Sequence, residues 1–389
     1  MWLVAAVVVV LAVVGSLLSL AEAQAFTGCE TAAYPPNKTR EEVPLYQVNL
    51  DLPPRDRWTT LMKDKGPQVV ALIDDMSELV KKVAGERIFN FLLSSLTAVT
   101  DSLPQPYKEE IEGIASATGL PVSTVTLYNI FYEAFTLCTS LVIQDQSGHL
   151  YHARNLDTGV FLGWDARNHS WTVAELLKPM AVRLRWTKNN ATVFESLSFS
   201  GYVGVLTAVK KDAFTFSLNK RFALNGGFLG LLEWLLFHDH DQRWVSFLTR
   251  EVMEKATSYT EAWQALSTPR LLAPVYFILG GTQPGEGCII TRDRDNFDLA
   301  TLGESGEWFL VQTNYDHWRS PPFFDDRRTP ARHCLSAGGV QQASPALLYN
   351  VLSTRPVLNK GTVYTALMDV RSGEVHAWRR ACPDPCWPW

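Results

Sequence analysis

Apolar residues recur at helical spacing through Val69, Leu72, Ile73, Met76, Leu79, Val80 and Val83, with Asp74, Asp75, Glu78, Lys81 and Lys82 between them. That spacing predicts an amphipathic helix with one wet face. The next run, "RIFNFLLSSLTAV", is apolar around most of its circumference. It reads as a buried helix or as a surface facing lipid. "PYKEEIEGIASATGL" predicts a third helix ended by Gly119, and "PVSTVTLYNIFYEAF" a fourth that runs almost into Cys138. The pattern then changes to short β-rich runs: "TSLVIQD", "LYHARNLD", "AVRLRWT", "TVFESLSFS" and "FTFSLN". Two helical runs follow, "FLGLLEWLLFH" and "RWVSFLTREVMEKATSYTEAWQALS", before strands resume in "VYFILGG", "GCIITRD" and "WFLVQTNYD". A helix, "SPALLYNVLST", and a hairpin around Ser372-Gly373 close the chain. Ahead of all this, residues 30–58 are rich in proline and charge and read as an extended lead-in. Helices first, then strands, helices and strands, predict layered α+β architecture rather than a regular βαβ alternation.

Composition narrows the class. The 389 residues are 47% hydrophobic and 19% charged, an ordinary globular balance. A net charge of -5 gives no basic surface, so nucleic acid is not an expected partner. Residues 1–23 form an apolar run ending in Ala21-Glu22-Ala23, which predicts a signal peptide and a mature start at Gln24. An uncleaved anchor is the alternative, because the run lacks an early Lys or Arg and is nearly long enough to span a bilayer. Three sequons follow at Asn37, Asn168 and Asn190, consistent with a secretory glycoprotein. Six cysteines are present. In an oxidising compartment most should pair, and Cys382-Pro-Asp-Pro-Cys386 reads as a small disulfide loop rather than half of a metal site.

Cys138 stands where the helical pattern gives way to the strand pattern. It reads as a small apolar filler or as a nucleophile. No Gly-x-Ser-x-Gly elbow, His-Glu-x-x-His or phosphate-binding loop is present, and none of the eight histidines sits in a cysteine-protease signature. "FHDHDQ" at 237–242 reads as a polar exposed turn more than a metal site. A thiol can be activated without histidine: if the bond before Cys138 is cut, its own α-amine can take the thiol proton. Arg154 and Asp157 fall on a neighbouring strand, Asn314 offers an amide able to donate to an oxyanion, and Arg327 and Arg328 offer charge. Equally, Arg154 and Asp157 fit a plain salt bridge, Asn314 a turn, and Arg327 and Arg328 a solvated face beside Asp325 and Asp326.

The ordered set "YPPN", "NLDLPP", "CTSLV", "RNLD", "GYVG", "NGGFLG", "ILGG", "GEGCIITRDR", "TNYDHW", "DDRRTPA" and "CPDPC" resembles the acid ceramidase family and covers essentially the whole mature chain. The related acid amidases for N-acylethanolamines share the strands but not the early cysteine or the "CPDPC" tail. The resemblance implies an N-terminal-nucleophile hydrolase: a four-layer αββα sandwich with a helical α subunit packed on it. It implies self-cleavage between Leu137 and Cys138, giving an α chain 24–137 and a catalytic β chain 138–389. On this reading Cys138 is the nucleophile and its α-amine the base, with Arg154 and Asp157 positioning that terminus. Asn314 serves the oxyanion and Arg327 supplies a supporting charge. Cys29 pairs with Cys334 across the cut, Cys382 pairs with Cys386, and Cys288 stays free. The implied activity is lysosomal hydrolysis of ceramide through a Cys138 thioester, on a membrane surface with a saposin-like lipid activator and no metal or organic cofactor. Lysosomal enzymes of this kind are also secreted. One departure stands out: the family pattern Asn-Glu-Arg-Phe reads Asn219-Lys220-Arg221-Phe222 here. Two other readings stay open, an N-acylethanolamine amidase and, motivated by Lys220, a lipid-binding pseudoenzyme. A long lysine stem turned outward into water is its bland reading.

Overall fold

A computed structural model describes residues 26–36, 42–134, 136–158, 163–221, 242–322 and 325–386. The expected signal peptide, the sequon at Asn37, the run "FLGLLEWLLFH" and the histidines of "FHDHDQ" lie outside them. The lead-in is more than an extended segment. Residues 26–36 run beside the chain's last helices, where Glu30 N–H donates to Thr354 Oγ1 at 2.9 Å and Tyr34 N–H to Asn350 Oδ1 at 3.0 Å. A disulfide joins Cys29 to Cys334. Further on, Leu45–Asn49 forms strand β1.

Four helices follow: α1 Thr59–Ala84, α2 Glu86–Ser102, α3 Tyr107–Thr118 and α4 Val122–Ala134. They sit where the apolar spacing places them. Gly119 ends α3 in the left-handed region, at φ 74°, as a helix C-terminus favours. Strands β2 (Thr136–Gln144) and β3 (Leu150–Thr158) form the first hairpin. After them come β4 (Trp164–Asp165), β5 (Ser170–Trp171), α5 (Thr172–Leu177), β6 (Ala181–Lys188), β7 (Ala191–Phe199), β8 (Thr207–Lys210) and β9 (Phe214–Lys220). The run expected as one helix is two, α6 Val245–Lys255 and α7 Tyr259–Ser267. Ser258 causes the break: its side chain caps Glu261 N–H, while the Glu261 carboxylate accepts from Thr257 N–H at 2.8 Å. The rest comprises β10 (Val275–Gly280), β11 (Gly287–Arg292), β12 (Phe297–Thr301), β13 (Phe309–Gln312), α8 (Arg328–Gly338), α9 (Pro345–Ser353), β14 (Thr362–Asp369) and β15 (Glu374–Arg379). Strands β1, β8 and β12 and helix α8 have no counterpart in the sequence reading.

Two sheets stack in the middle. One has eight strands in the order β1-β6-β7-β8-β9-β10-β11-β12, and the other five in the order β13-β2-β3-β14-β15. All their pairings are antiparallel except β1 with β6. Helices α6 and α7 lie against the eight-stranded sheet, and α8 and α9 against the five-stranded one. This is the αββα sandwich. Alternation along β2 separates two environments. Leu141 and Ile143 join Leu335, Leu348 and Leu352 of the helical layer, while Cys138 joins the large core between the sheets.

The N-terminal helices are fastened to this sandwich by a buried charge cluster. Glu110 of α3 is fully buried and accepts from Arg57 Nη1 at 2.9 Å, Trp58 Nε1 at 2.7 Å and Arg250 of α6 at 2.5 and 2.7 Å. Arg250 also stacks over the Trp186 ring, 4.2 Å away. Burial pushes the Glu110 carboxyl up, but Arg250 and the hydrogen bonds from Arg250, Trp58 and Arg57 outweigh it, so its pKa lies below the usual range. The ion pair therefore holds at mildly acid pH and is lost only as pH falls through that lowered pKa. Glu110→Gln leaves the Arg250 charge buried without its counterion. We expect it to lower unfolding stability by about 3–5 kcal/mol, measured by urea denaturation.

Candidate active site

The α4 helix ends at Ala134 and β2 begins at Thr136, so Cys138 is the third residue of its strand rather than the first. Thr136 and Leu137 pair with Thr158 and Asp157 of β3, which draws the peptide before Cys138 into the ladder. Leu137 and Cys138 are both buried.

Of the polar residues the sequence nominated, Arg154 meets the Cys138 sulfur, Asn314 and Arg327 meet its peptide unit, and Asp157 meets Arg327, while Arg328 stands apart. Arg154, two strands' pleats along β3, donates from Nη2 to the Cys138 sulfur, and from Nη1 to Leu206 O at 2.8 Å and Thr207 Oγ1 at 3.0 Å. Asn314 Oδ1 accepts from Cys138 N–H at 2.9 Å. Arg327 Nη1 donates to Cys138 O at 2.7 Å, Thr139 Oγ1 at 3.2 Å and Asp157 Oδ2 at 3.1 Å. Its Nη2 reaches Asn314 Oδ1 at 2.7 Å. The Asn314 amide nitrogen is turned the other way and donates to Lys220 O at 2.8 Å. The Asn314 oxygen thus faces the Cys138 nitrogen, and its donor end is held by a main-chain carbonyl. Arg327 and Arg328 are buried, not on a solvated face, and Arg328 Nη1 donates to Asp316 O at 2.9 Å.

Electrostatics follow from burial. Loss of water pushes the Cys138 thiol up, against the opposing pull of Arg154 and Arg327, so the thiol stays protonated. Burial also pushes the Asp157 carboxyl up, with Arg327 opposing. Burial works against the Arg327 charge too, yet Asp325 and Asp157 hold its pKa above the ordinary value. Asp325 accepts from Arg327 at 2.7 and 2.9 Å and from Tyr315 Oη at 2.6 Å. Asp325 and Tyr315 were not nominated as site residues. The signal available was the "DDR" run itself, which reads as a solvated cluster until the fold buries it.

Lys220 ends β9 beside this group. Its side chain is not turned freely into water: burial pushes its amine down to about 8. The face of β9 behind it is polar as well. Ser217 and Asn219 meet Ser140 of β2 inside the sandwich, and His152 of β3 meets Ser217. The sequence carried a trace of this, since Thr215, Ser217 and Asn219 occur at every second position of an otherwise apolar strand. Elsewhere, the sequons at Asn168 and Asn190 are exposed on turns, Asn190 at the β6–β7 hairpin with φ 58°. A disulfide closes Cys382 to Cys386, and Cys138 and Cys288 are buried free thiols. Among the described residues no helix is long and apolar enough to cross a membrane.

Comparison with known proteins places this constellation among amide hydrolases. The sequence model described as linear amide C-N hydrolases, choloylglycine hydrolase family, matches residues 138–340, starting at Cys138 itself. The model described as the beta subunit of N-acylethanolamine-hydrolyzing acid amidase matches residues 41–103. Acid ceramidases of Homo sapiens and Pan troglodytes are 48% identical over 366 residues, spanning 93% of this chain and 92% of each relative. That of Mus musculus is also 48% identical, covering 93% of both chains. Among solved structures, a Caenorhabditis elegans N-acylethanolamine-hydrolyzing acid amidase ortholog superposes with a TM-score of 0.52 at 31% identity, covering 63% of this chain and 100% of that one.

The lowered Lys220 pKa has a measurable consequence. The folded protein disfavours the charged amine, so the penalty is complete below about 8 and fades as pH rises toward the ordinary 10.5. Lys220→Met removes it. We expect the variant to be more stable than the parent at pH 5–7, with the gap closing between pH 8 and 10.5, read from urea midpoints across that range.

Proposed function

The chain belongs to the acid ceramidases, within the choloylglycine hydrolase family of linear amide C-N hydrolases, and from that premise we propose that it hydrolyses the amide of ceramide through Cys138, after cutting itself between Leu137 and Cys138. The observation that carries the reading is the convergence of Arg154, Asn314 and Arg327 on Cys138, with Asp157 joined through Arg327. In the first step the Cys138 sulfur attacks the Leu137 carbonyl carbon. The Leu137–Cys138 C–N bond breaks, the nitrogen takes up the thiol proton as it becomes an amine, and water then hydrolyses the Leu137 thioester to a carboxylate and the free thiol. Arg327 at the Cys138 carbonyl and Asn314 at its nitrogen fix both sides of the unit that must not move.

In the second step the new α-amine takes the thiol proton, and the thiolate attacks the lipid amide carbon. The tetrahedral oxyanion collapses, the long-chain amine leaves carrying the proton, and water cleaves the acyl thioester to release the fatty acid. The liberated terminus gives Asn314 a reason to face Cys138 N, since the same oxygen can orient the amine once the peptide bond is gone. Arg154 at the sulfur stabilises the thiolate that the buried site otherwise disfavours. Asp157 and Arg327 hold that end of β3 and β2 together. The Asn314 donor serves the oxyanion after the segment carrying Leu137 withdraws and its bond to Lys220 O is exchanged.

An α chain 24–137 and a β chain 138–389 then stay paired. The two family matches fall on either side of the cut, and the Cys29–Cys334 bridge spans it. Entry through the secretory pathway by residues 1–23, glycans at Asn37, Asn168 and Asn190, a lysosomal site of action and a saposin-like protein that lifts ceramide from its membrane complete the proposal. The relatives 48% identical over most of the chain are ceramidases, which ranks ceramide above N-acylethanolamines as substrate.

Acid incubation should produce a fragment whose N-terminal sequence begins at Cys138, and product release should be greater from N-acylsphingosine than from N-acylethanolamine. Cys138→Ala should remain one chain and release nothing. A Cys138→Ala protein that matures at the normal rate sinks the mechanism, and a matured wild-type protein that binds both lipids without turnover makes it a pseudoenzyme.

A further inference from the structure

One buried polar feature touches neither the Cys138 sulfur nor its peptide unit. Thr215, Ser217 and Asn219 line one face of β9, and between the sheets they meet Ser140 of β2 and His152 of β3. All five are buried. The interior face of a sandwich is ordinarily apolar, so a polar line there is retained only if every member is satisfied.

Counting protons fixes its direction. Asn219 Nδ2 faces two main-chain carbonyls, Gln312 O at 2.8 Å and Thr313 O at 3.2 Å, so it is the donor end of the amide. Its Oδ1 accepts from the Ser140 hydroxyl at 2.8 Å. That uses the one Ser140 proton, so Ser217 donates to Ser140 at 2.9 Å. Ser217 in turn accepts from His152 Nε2–H at 2.8 Å, and Nδ1 accepts from the Thr215 hydroxyl at 3.0 Å, whose one proton is shared with Gly280 O at 3.1 Å. Each donor points toward Asn219. Burial and Arg154 push His152 down to about 3, so the line keeps this polarity in an acid compartment.

The end of the line is where it matters. Gln312 is the last residue of β13, and its ladder partner is Ser140. Among the described residues the ladder does not extend to residues 313 and 314, yet Asn314 must keep Oδ1 at 2.9 Å from Cys138 N and 2.7 Å from Arg327 Nη2. Ser140 lies two residues beyond Cys138 on the same strand face. The Asn219 amide thus touches the nucleophile strand on one side and the two carbonyls preceding Asn314 on the other.

We propose that Asn219 is a positioning residue: it takes the place of the missing ladder bonds and sets the offset between Cys138 and Asn314, while Ser140, Ser217 and His152 fix which way its amide faces. This rests on the assignment of Cys138 and Asn314 above. Asn219→Asp keeps the shape but turns an acceptor toward two carbonyls, and Ser140→Ala removes the bond that orients the amide. In acid-matured protein acting on N-acylsphingosine, both should lose kcat on the order of 10²-fold, with KM changed by no more than about twofold. Ser140→Thr, which keeps the hydroxyl, should recover most of the loss. A merely structural role would lower the unfolding midpoint while leaving kcat per folded molecule unchanged, and that result overturns the proposal. If Asn219→Asp fails to fold, Ser140→Ala decides: a folded Ser140→Ala with parental kcat overturns it equally. Cys138→Ala runs alongside. Turnover surviving in Cys138→Ala removes the premise, whereas an inert Cys138→Ala beside a fully active Ser140→Ala removes only the role of Asn219.

Discussion

The site hangs on one guanidinium. Arg327 is buried, and its hydrogen bonds go to Cys138 O, Thr139 Oγ1, Asp157 Oδ2, Asn314 Oδ1 and both oxygens of Asp325. A buried cation is tolerated only when it is paired and fully hydrogen-bonded, and here that requirement fixes five neighbours at once. A lysine could not substitute, because three donors on a flexible stem cannot reproduce a planar fork reaching four chain segments. Two arginines, Arg154 and Arg327, are balanced by Asp157 and Asp325, so the local charge is close to neutral while its arrangement is rigid. Electrostatic preorganisation of this kind is what amide chemistry needs around a developing charge.

The same rigidity is what the double use proposed for the Cys138 thiol requires. The Cys138 peptide is clamped on both its nitrogen and its carbonyl side, and burial pushes the thiol pKa up. The Leu137–Cys138 peptide lies inside the β2–β3 ladder, so the clamp is made from ordinary strand pairing plus the Asn314 and Arg327 side chains.

Much of this was legible from the residues. Periodicity located the N-terminal helices and the core strands because their apolar faces are regular, and Gly119 marked the end of its helix. The motif around Cys138 was legible because its residues recur as a family pattern. The elements that escaped are those whose identity depends on distant partners. Strand β1 lies in a proline-rich segment and is a strand only because β6 receives it. Helix α8 begins at Arg328, in a run whose charge suggests solvent until Asp316 and Asp325 are seen to bury it. The start of β2 before Cys138 is likewise set by β3, not by any local signal. Lys220 was readable as a departure but not as a desolvated amine, since burial is a property of the folded chain.

The parallel pairing of β1 with β6 also bears on how the protein can be made. A strand contributed from before Cys138 caps the edge of a sheet built otherwise from residues after it. A recombinant fragment starting at Cys138 would leave the backbone donors and acceptors of β6 without β1 along that edge. Such an edge recruits other edges, so the fragment is expected to aggregate rather than act.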